Sequence, residues 1–147
     1  MPLSPKLFTL FERYASLDTS RPDGAHYATV LDLFEPELQA IGFTTQRLPI
    51  PESIAGEQNR VHLIARKHTS PQLPTLIIYN HIDVVPANYP GAFTVRKKDG
   101  YLYARGAADH KGSTIAVLDA LQKLHATQTK LRYNILFLLT TDEETFL

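Results

Sequence analysis

Apolar residues recur at helical spacing in three stretches of the chain. In the first stretch, a serine and a proline at positions 4 and 5 precede apolar side chains that repeat every three or four residues. The second stretch ends at Gly42, and glycine commonly follows the last turn of a helix. The pattern therefore predicts amphipathic helices over residues 5–17, 27–41 and 111–124.

Between these helices the apolar pattern is that of β-strands. Short runs rich in branched and aromatic residues predict strands over residues 43–48, 61–65, 76–85 and 133–139. The run 76–85 lies between two prolines and is typical of a strand buried on both faces. Asp99-Gly100 predicts the tight turn of a hairpin over residues 93–103. Strands that alternate with helices predict a three-layer α/β domain with a mostly parallel central sheet.

Composition limits the classes of function. The 147 residues suffice for one domain, and 15 basic side chains balance 15 acidic ones, which disfavours nucleic acid or a membrane surface as a partner. The absence of cysteine excludes disulfides, a thiolate nucleophile and cysteine-ligated zinc. The first 20 residues lack the pattern of a signal peptide, and the longest apolar run, 135–139, is too short to span a bilayer. A cytoplasmic location is therefore expected.

A first polar cluster lies toward the end of the predicted strand 76–85. It contains Asn80, His81 and Asp83. Residues two apart on a strand point to the same side, so His81 and Asp83 are expected to be neighbours. A carboxylate beside an imidazole fixes its tautomer and strengthens it as a metal ligand. Taken alone, the pair is at least as typical of a core histidine near a turn aspartate.

Two further clusters follow predicted strands. Small residues around Asp109 permit a tight turn that exposes its carboxylate near a helix start, where it could bridge two cations or simply cap the helix. Asp142, Glu143 and Glu144 come directly after the strand 133–139. Adjacent carboxylates repel one another unless a cation, a basic partner or water compensates them, and one can bind metal while its neighbour takes a proton from water. Ligands bind at this edge of α/β sheets.

A nucleotide-binding site is disfavoured. An apolar strand that ends in acidic residues resembles a Walker B strand, and residues 106–114 superficially resemble a phosphate loop. However, Lys111-Gly112-Ser113 has the wrong order, because a phosphate loop needs glycine, then lysine, then serine or threonine. The carboxylate of Asp109 within that loop would also repel phosphate.

Together and in this order, the three clusters resemble the motifs of a family of zinc metallopeptidases and amidohydrolases. That family includes acetylornithine deacetylase, succinyl-diaminopimelate desuccinylase, aminoacylase, carboxypeptidase G and cytosolic dipeptidases. Residues 81–86 are similar to its first motif, 100–112 to its second and 141–144 to its third. The resemblance spans roughly residues 4–144 and implies a zinc-peptidase-like catalytic domain.

The resemblance also implies a role for each site residue. It implies that His81 ligates one zinc ion, that Asp109 bridges two zinc ions and that Glu144 ligates the other, with cobalt or manganese as alternatives. Asp83 would orient His81, and Glu143 would act as general base and acid. The implied reaction is metal-dependent hydrolysis of an amide bond in an N-acyl amino acid or a small peptide, by a full-length protein that is a homodimer.

Several features depart from the family pattern. His110 stands where the family often has methionine, Ala104 replaces a frequent glycine, and Phe146 stands where glycine is usual. The family's later metal ligands and its dimerisation domain do not fit within 147 residues. We therefore expect residues 1–147 to be the N-terminal portion of the catalytic domain, truncated at its C-terminal side and inactive alone. The alternative is a non-catalytic domain or a pseudoenzyme.

Overall fold

The computed structural model describes residues 3–20, 26–51 and 60–144, and Phe146 lies outside these ranges. The helices are α1 (Pro5–Ser16), α2 (Tyr27–Ala40) and α3 (Gly112–Ala126). The strands are β1 (Thr44–Pro49), β2 (Val61–Lys67), β3 (Thr75–His81), β4 (Arg96–Lys98), β5 (Tyr101–Tyr103) and β6 (Asn134–Thr140). An irregular turn, Ala107–Lys111, in which Asp109 has non-helical φ and ψ angles of −135° and 100°, leads directly into α3. Within the described ranges, no helix combines the length and apolar character needed to cross a membrane.

Two local predictions are confirmed: the cap at the start of α1 and the turn between β4 and β5. The Ser4 side chain accepts a hydrogen bond from the backbone N–H of Leu7, which caps α1 as the serine–proline pair predicts. Asp99 and Gly100 have φ angles of 52° and 81° and join β4 to β5. Positive φ at both turn residues matches the twist of a two-residue hairpin, and glycine adopts it without strain. The predicted hairpin is confirmed.

Four strands form one sheet in the order β1–β2–β6–β3. β3 and β6 run parallel, whereas β1 with β2 and β2 with β6 run antiparallel. The α/β class is confirmed, but the expectation of a mostly parallel sheet is wrong for these strands. Among the described connections in this sheet, the one from β3 to β6 contains a helix, α3, and a parallel pair needs such a crossover. β2 and β3 run in opposite directions, and the segment that joins them, 68–74, contains no helix.

The core lies between the helices and one face of the sheet. Along β6, Ile135, Phe137 and Leu139 are buried in the same cluster as the apolar residues of α1, α2 and α3. Leu136 and Leu138 point to the opposite face and are only partly buried. The described residues thus comprise the sheet and one helical layer.

β3 differs from the strand predicted over residues 76–85. It ends at His81 and is an edge strand, with β6 as its partner. Leu76, Ile77 and Tyr79 are exposed by 47%, 60% and 51%. The prediction of a strand buried on both faces is therefore wrong for the described part of the chain, because β3 has a neighbouring strand on one side and helical cover on one face.

Candidate metal centre

β3 and β6 end side by side at one edge of the sheet. His81 closes β3 and pairs with Thr140 at the end of β6, so the turn 141–144 begins next to it. The turn Ala107–Lys111 brings Asp109 to the same edge, where its Oδ1 lies 3.1 Å from His81 Nε2. Clusters far apart in sequence therefore meet in one place, as expected for the carboxyl ends of parallel neighbours.

His81 is held in orientation by Asp83. The Nδ1 atom of His81 lies 3.0 Å from the backbone oxygen of Asp83 and 3.5 Å from its carboxylate Oδ1. A carbonyl oxygen only accepts, so Nδ1 carries the hydrogen and Nε2 faces Asp109 and, at 3.7 Å, Glu143. Both His81 and Asp83 are buried. This is the arrangement in which a second residue orients a metal-ligating imidazole.

Several ionisable side chains lie close to His81, and the pKa values of His81, Asp83 and Glu144 depart from the ordinary ones. Burial opposes a charge on the imidazole, but hydrogen bonds to Asp83 and Asp109 outweigh it and raise the pKa of His81 to about 9. Burial also opposes ionisation of Asp83, yet hydrogen bonds from His81 and from the backbone N–H of Glu144 hold the pKa of Asp83 below its ordinary value. Burial raises the pKa of Glu144; the charge of His81 opposes this, and nearby carboxylates add to it. A bound cation would relieve the repulsion among these carboxylates.

Asp83 also contacts the acidic turn. Its Oδ2 accepts a hydrogen bond of 2.8 Å from the backbone N–H of Glu144. The neighbouring Glu143 is 40% exposed at its side chain and directs Oε2 toward His81. One buried carboxylate therefore connects the imidazole at the end of β3 to the two glutamates after β6.

Arg60 and His62, which the sequence analysis did not single out, contact the turn 141–144 on its β2 side. Arg60 Nη1 donates to Asp142 Oδ2 at 3.0 Å, and both side chains are largely buried. The backbone N–H of Thr141 donates to His62 Nδ1 at 3.1 Å. These contacts follow from the antiparallel register of β2 with β6, which continues beyond the strand ends. The sequence carries no local signal of that register.

Glycines allow the Asp109 turn to approach the rest of the fold. Gly106 has a φ of 77°, and a Cβ atom there would lie 2.5 Å from Val84 Cγ1. A Cβ at Gly112 would clash with the backbone oxygen of Ala107. The Asp109 carboxylate is 69% exposed, which matches the prediction of an exposed carboxylate near a helix start.

His110 follows Asp109 through a cis peptide bond and lies beside His81. The two imidazole rings meet edge to face with centroids 4.8 Å apart. His110 Nδ1 lies 2.6 Å from Ser113 Oγ and 3.0 Å from the side-chain amide of Asn80. Sequence reasoning noted His110 as a departure from the motif and gave it no role.

Two groups of side chains can hold a metal ion, with the ligand atoms of each group within 4.8 Å of one another. The first group is His81, Glu143 and Glu144, and the second is His81, Asp109 and His110. Imidazole nitrogen with carboxylate oxygen suits zinc and also cobalt or manganese. The residues present therefore fit a divalent cation.

Residues 77–146 match the family model described as Peptidase family M20/M25/M40. The matched segment contains all three polar clusters. The segment that carries the motifs thus matches a family of peptidases, which confirms the family resemblance.

Curated relatives agree with this match, and a solved structure shares the fold. Succinyl-diaminopimelate desuccinylase of Bradyrhizobium sp. (strain ORS 278) is 40% identical over 129 residues, which cover 80% of this chain and 31% of that protein. Beta-Ala-His dipeptidase of Mus musculus is 36% identical over 104 residues, covering 67% of this chain and 19% of that protein. The crystal structure of human carnosine dipeptidase 1 shares the fold, with a TM-score of 0.75 at 19% identity over 92% of this chain and 31% of that one. The chain thus spans less than a third of these three proteins.

Proposed function

We propose that this chain is the N-terminal portion of the catalytic domain of a metal-dependent hydrolase that cleaves amide bonds in N-acyl amino acids or small peptides. One observation carries the proposal: five polar side chains from three separate motifs meet at one sheet edge. These residues are His81, Asp83, Asp109, Glu143 and Glu144. The similarity to a dipeptidase and a desuccinylase supports amide bonds as the substrate class.

His81, Asp109 and Glu144 hold the metal in this proposal, with zinc expected and cobalt or manganese as alternatives. The 3.1 Å between His81 Nε2 and Asp109 Oδ1 suits two ligands of one ion. Asp109 is exposed and has a second carboxylate oxygen, which makes it the residue suited to bridge a second ion. Divalent metal bound there supplies a Lewis acid for the scissile carbonyl and lowers the pKa of water.

Glu143 serves as general base and then as general acid. Its carboxylate is partly exposed and lies near the imidazole without being held by it, at 3.7 Å. It takes a proton from the attacking water and delivers that proton to the leaving amine nitrogen. Asp83 contacts no substrate in this scheme and instead positions His81 and the Glu144 backbone.

The share of the relatives that the chain covers favours a second candidate for residues 1–147 taken alone: weak metal binding without hydrolysis. Three proposed ligands come from this chain, and the remaining ligands and the dimer interface of a homodimeric full-length protein would come from elsewhere. The cytoplasmic location stays a prediction.

Zinc titration of the metal-free chain by calorimetry tests the proposal. We expect Glu144→Gln to weaken zinc binding by roughly tenfold or more, since it replaces an anionic ligand with a neutral amide. Glu12→Gln, an exposed change on α1, serves as the matched control and should bind like the wild type. Equal affinities in all three proteins would contradict the ligand assignment. Zinc-dependent cleavage of N-acyl amino acids by residues 1–147 would overturn the second candidate.

A further inference from the structure

His110 places a second imidazole at the proposed metal position. Its Nε2 atom lies 3.6 Å from Asp109 Oδ1, and His81 Nε2 lies 3.1 Å from the same oxygen. The 3.1 Å separation is compatible with a hydrogen bond and the 3.6 Å separation is longer than one, and both nitrogens approach the same carboxylate oxygen. The His110 side chain is 40% exposed, so its ring is accessible to an ion from solvent.

These separations match the edges of a tetrahedral zinc site. Zinc binds histidine nitrogen at 2.0–2.1 Å, and tetrahedral geometry then places neighbouring ligand atoms about 3.3–3.5 Å apart. The observed 3.1 Å and 3.6 Å lie on either side of that value. The ligand atoms of His81, Asp109 and His110 all fall within 4.8 Å of one another. Small side-chain movements therefore suffice to close the three ligands on one ion.

Each of the two imidazole rings has a hydrogen-bond partner at its second nitrogen, Nδ1. His81 Nδ1 donates to the Asp83 backbone oxygen, and His110 Nδ1 lies 2.6 Å from Ser113 Oγ. Ser113 Oγ can in turn donate to the His110 backbone oxygen at 2.8 Å, so the hydroxyl can accept from Nδ1. The Asn80 amide nitrogen, 3.0 Å from Nδ1, only donates, and Ser113 Oγ at 3.1 Å and Thr114 Oγ1 at 3.2 Å can accept its two hydrogens instead. A hydrogen bond at the second ring nitrogen is the usual support of a metal-binding histidine, because it fixes both ring orientation and tautomer.

We propose that His110 is a third protein ligand, through Nε2, of the ion held by His81 and Asp109. This assignment rests on the proposed function, because it presumes that the edge of β3 binds metal. It gives residues 1–147 a site with two imidazoles and one carboxylate, which leaves one tetrahedral position for water or substrate.

Zinc affinity and ligand count in His110→Phe test the proposal without an activity assay. Phenylalanine keeps a flat ring against His81 and removes both nitrogens. We expect its zinc Kd to rise roughly 100-fold, since removal of a direct ligand should cost at least as much as the 10–100-fold loss typical of supporting residues. X-ray absorption of the zinc complex should show two imidazoles in the wild type and one in the variant. His125→Asn, at the far exposed end of α3, is the matched control and should show two.

The outcomes separate this inference from the function on which it rests. A wild-type complex with one imidazole, and an unchanged Kd in His110→Phe, would overturn the role of His110 and leave the metal-dependent hydrolase standing. Failure of the wild-type chain to bind zinc would overturn both. If His110→Phe does not fold, Ser113→Ala decides: it should keep two imidazoles with a Kd weakened roughly tenfold, whereas one imidazole in its complex would refute the proposal.

Discussion

The buried Lys111 offers a test of the fold that is independent of metal. Its side chain is fully buried, and Nζ donates to the backbone oxygens of Leu17 at 2.7 Å and Tyr14 at 3.3 Å. The ammonium also lies 5.2 Å and 5.3 Å from the ring centroids of Tyr14 and Phe93. Burial lowers the pKa of Lys111 from 10.5 to about 8, against the opposing charge of Asp18. Replacement by methionine, Lys111→Met, removes the titrating group and keeps an unbranched side chain.

The sign of the expected effect follows from proton counting. Near pH 7 the lysine is protonated in the folded and unfolded chains alike. Between about pH 8 and 10.5 the unfolded chain still holds the proton while the folded chain has released it, so the free energy of unfolding rises with pH. With these pKa values, Lys111 adds roughly 2–3 kcal/mol to the unfolding free energy between pH 7 and pH 10.

Urea unfolding of the wild type and Lys111→Met at several pH values measures this directly. Groups that titrate in both proteins cancel in the difference, which isolates Lys111. From pH 7 to pH 10, we expect the unfolding free energy of the wild type to increase by roughly 2–3 kcal/mol relative to that of the variant. A difference that stays flat with pH would show that Lys111 has an ordinary pKa and would refute its buried, cation-disfavouring environment.

Three further predictions concern the site. Gly106→Ala should lower the free energy of unfolding by about 2 kcal/mol or more in urea unfolding, because its Cβ would clash with Val84. Gly91→Ala is the control: Gly91 has a similar φ and a Cβ there would have no contact within 4 Å, so this change should cost less. Equal losses in the two variants would contradict the packing around Gly106. Asp83→Asn should lower the pKa of His81 by about one pH unit or more in an NMR titration, whereas an unchanged value would argue against their coupling. Because zinc must displace the proton of His81, the apparent zinc affinity should rise about tenfold per pH unit from pH 6 to 8, and a pH-independent affinity would count against His81 as a ligand.

The sequence predicts that β2 and β6 are strands, but only the structure shows the register in which they pair. The apolar pattern predicts that both segments are strands, but it gives no information on their alignment. In the structure the alignment places Arg60 beside Asp142 and His62 beside Thr141, and so supports the turn that carries both glutamates. Strand pairing is a contact between distant segments, which the local period of a sequence does not report.

The sequence by itself determined the three helices, the hairpin, the α/β class and the identity of the polar clusters, because these depend on local period, turn chemistry and motif order. The tertiary structure decided that the sheet is mixed and that β3 lies at its edge, because topology depends on which segments pair. It also decided that His110 faces His81. That contact depends on the path of the Asp109 turn across the end of β3, and the neighbouring residues in the sequence do not specify that path.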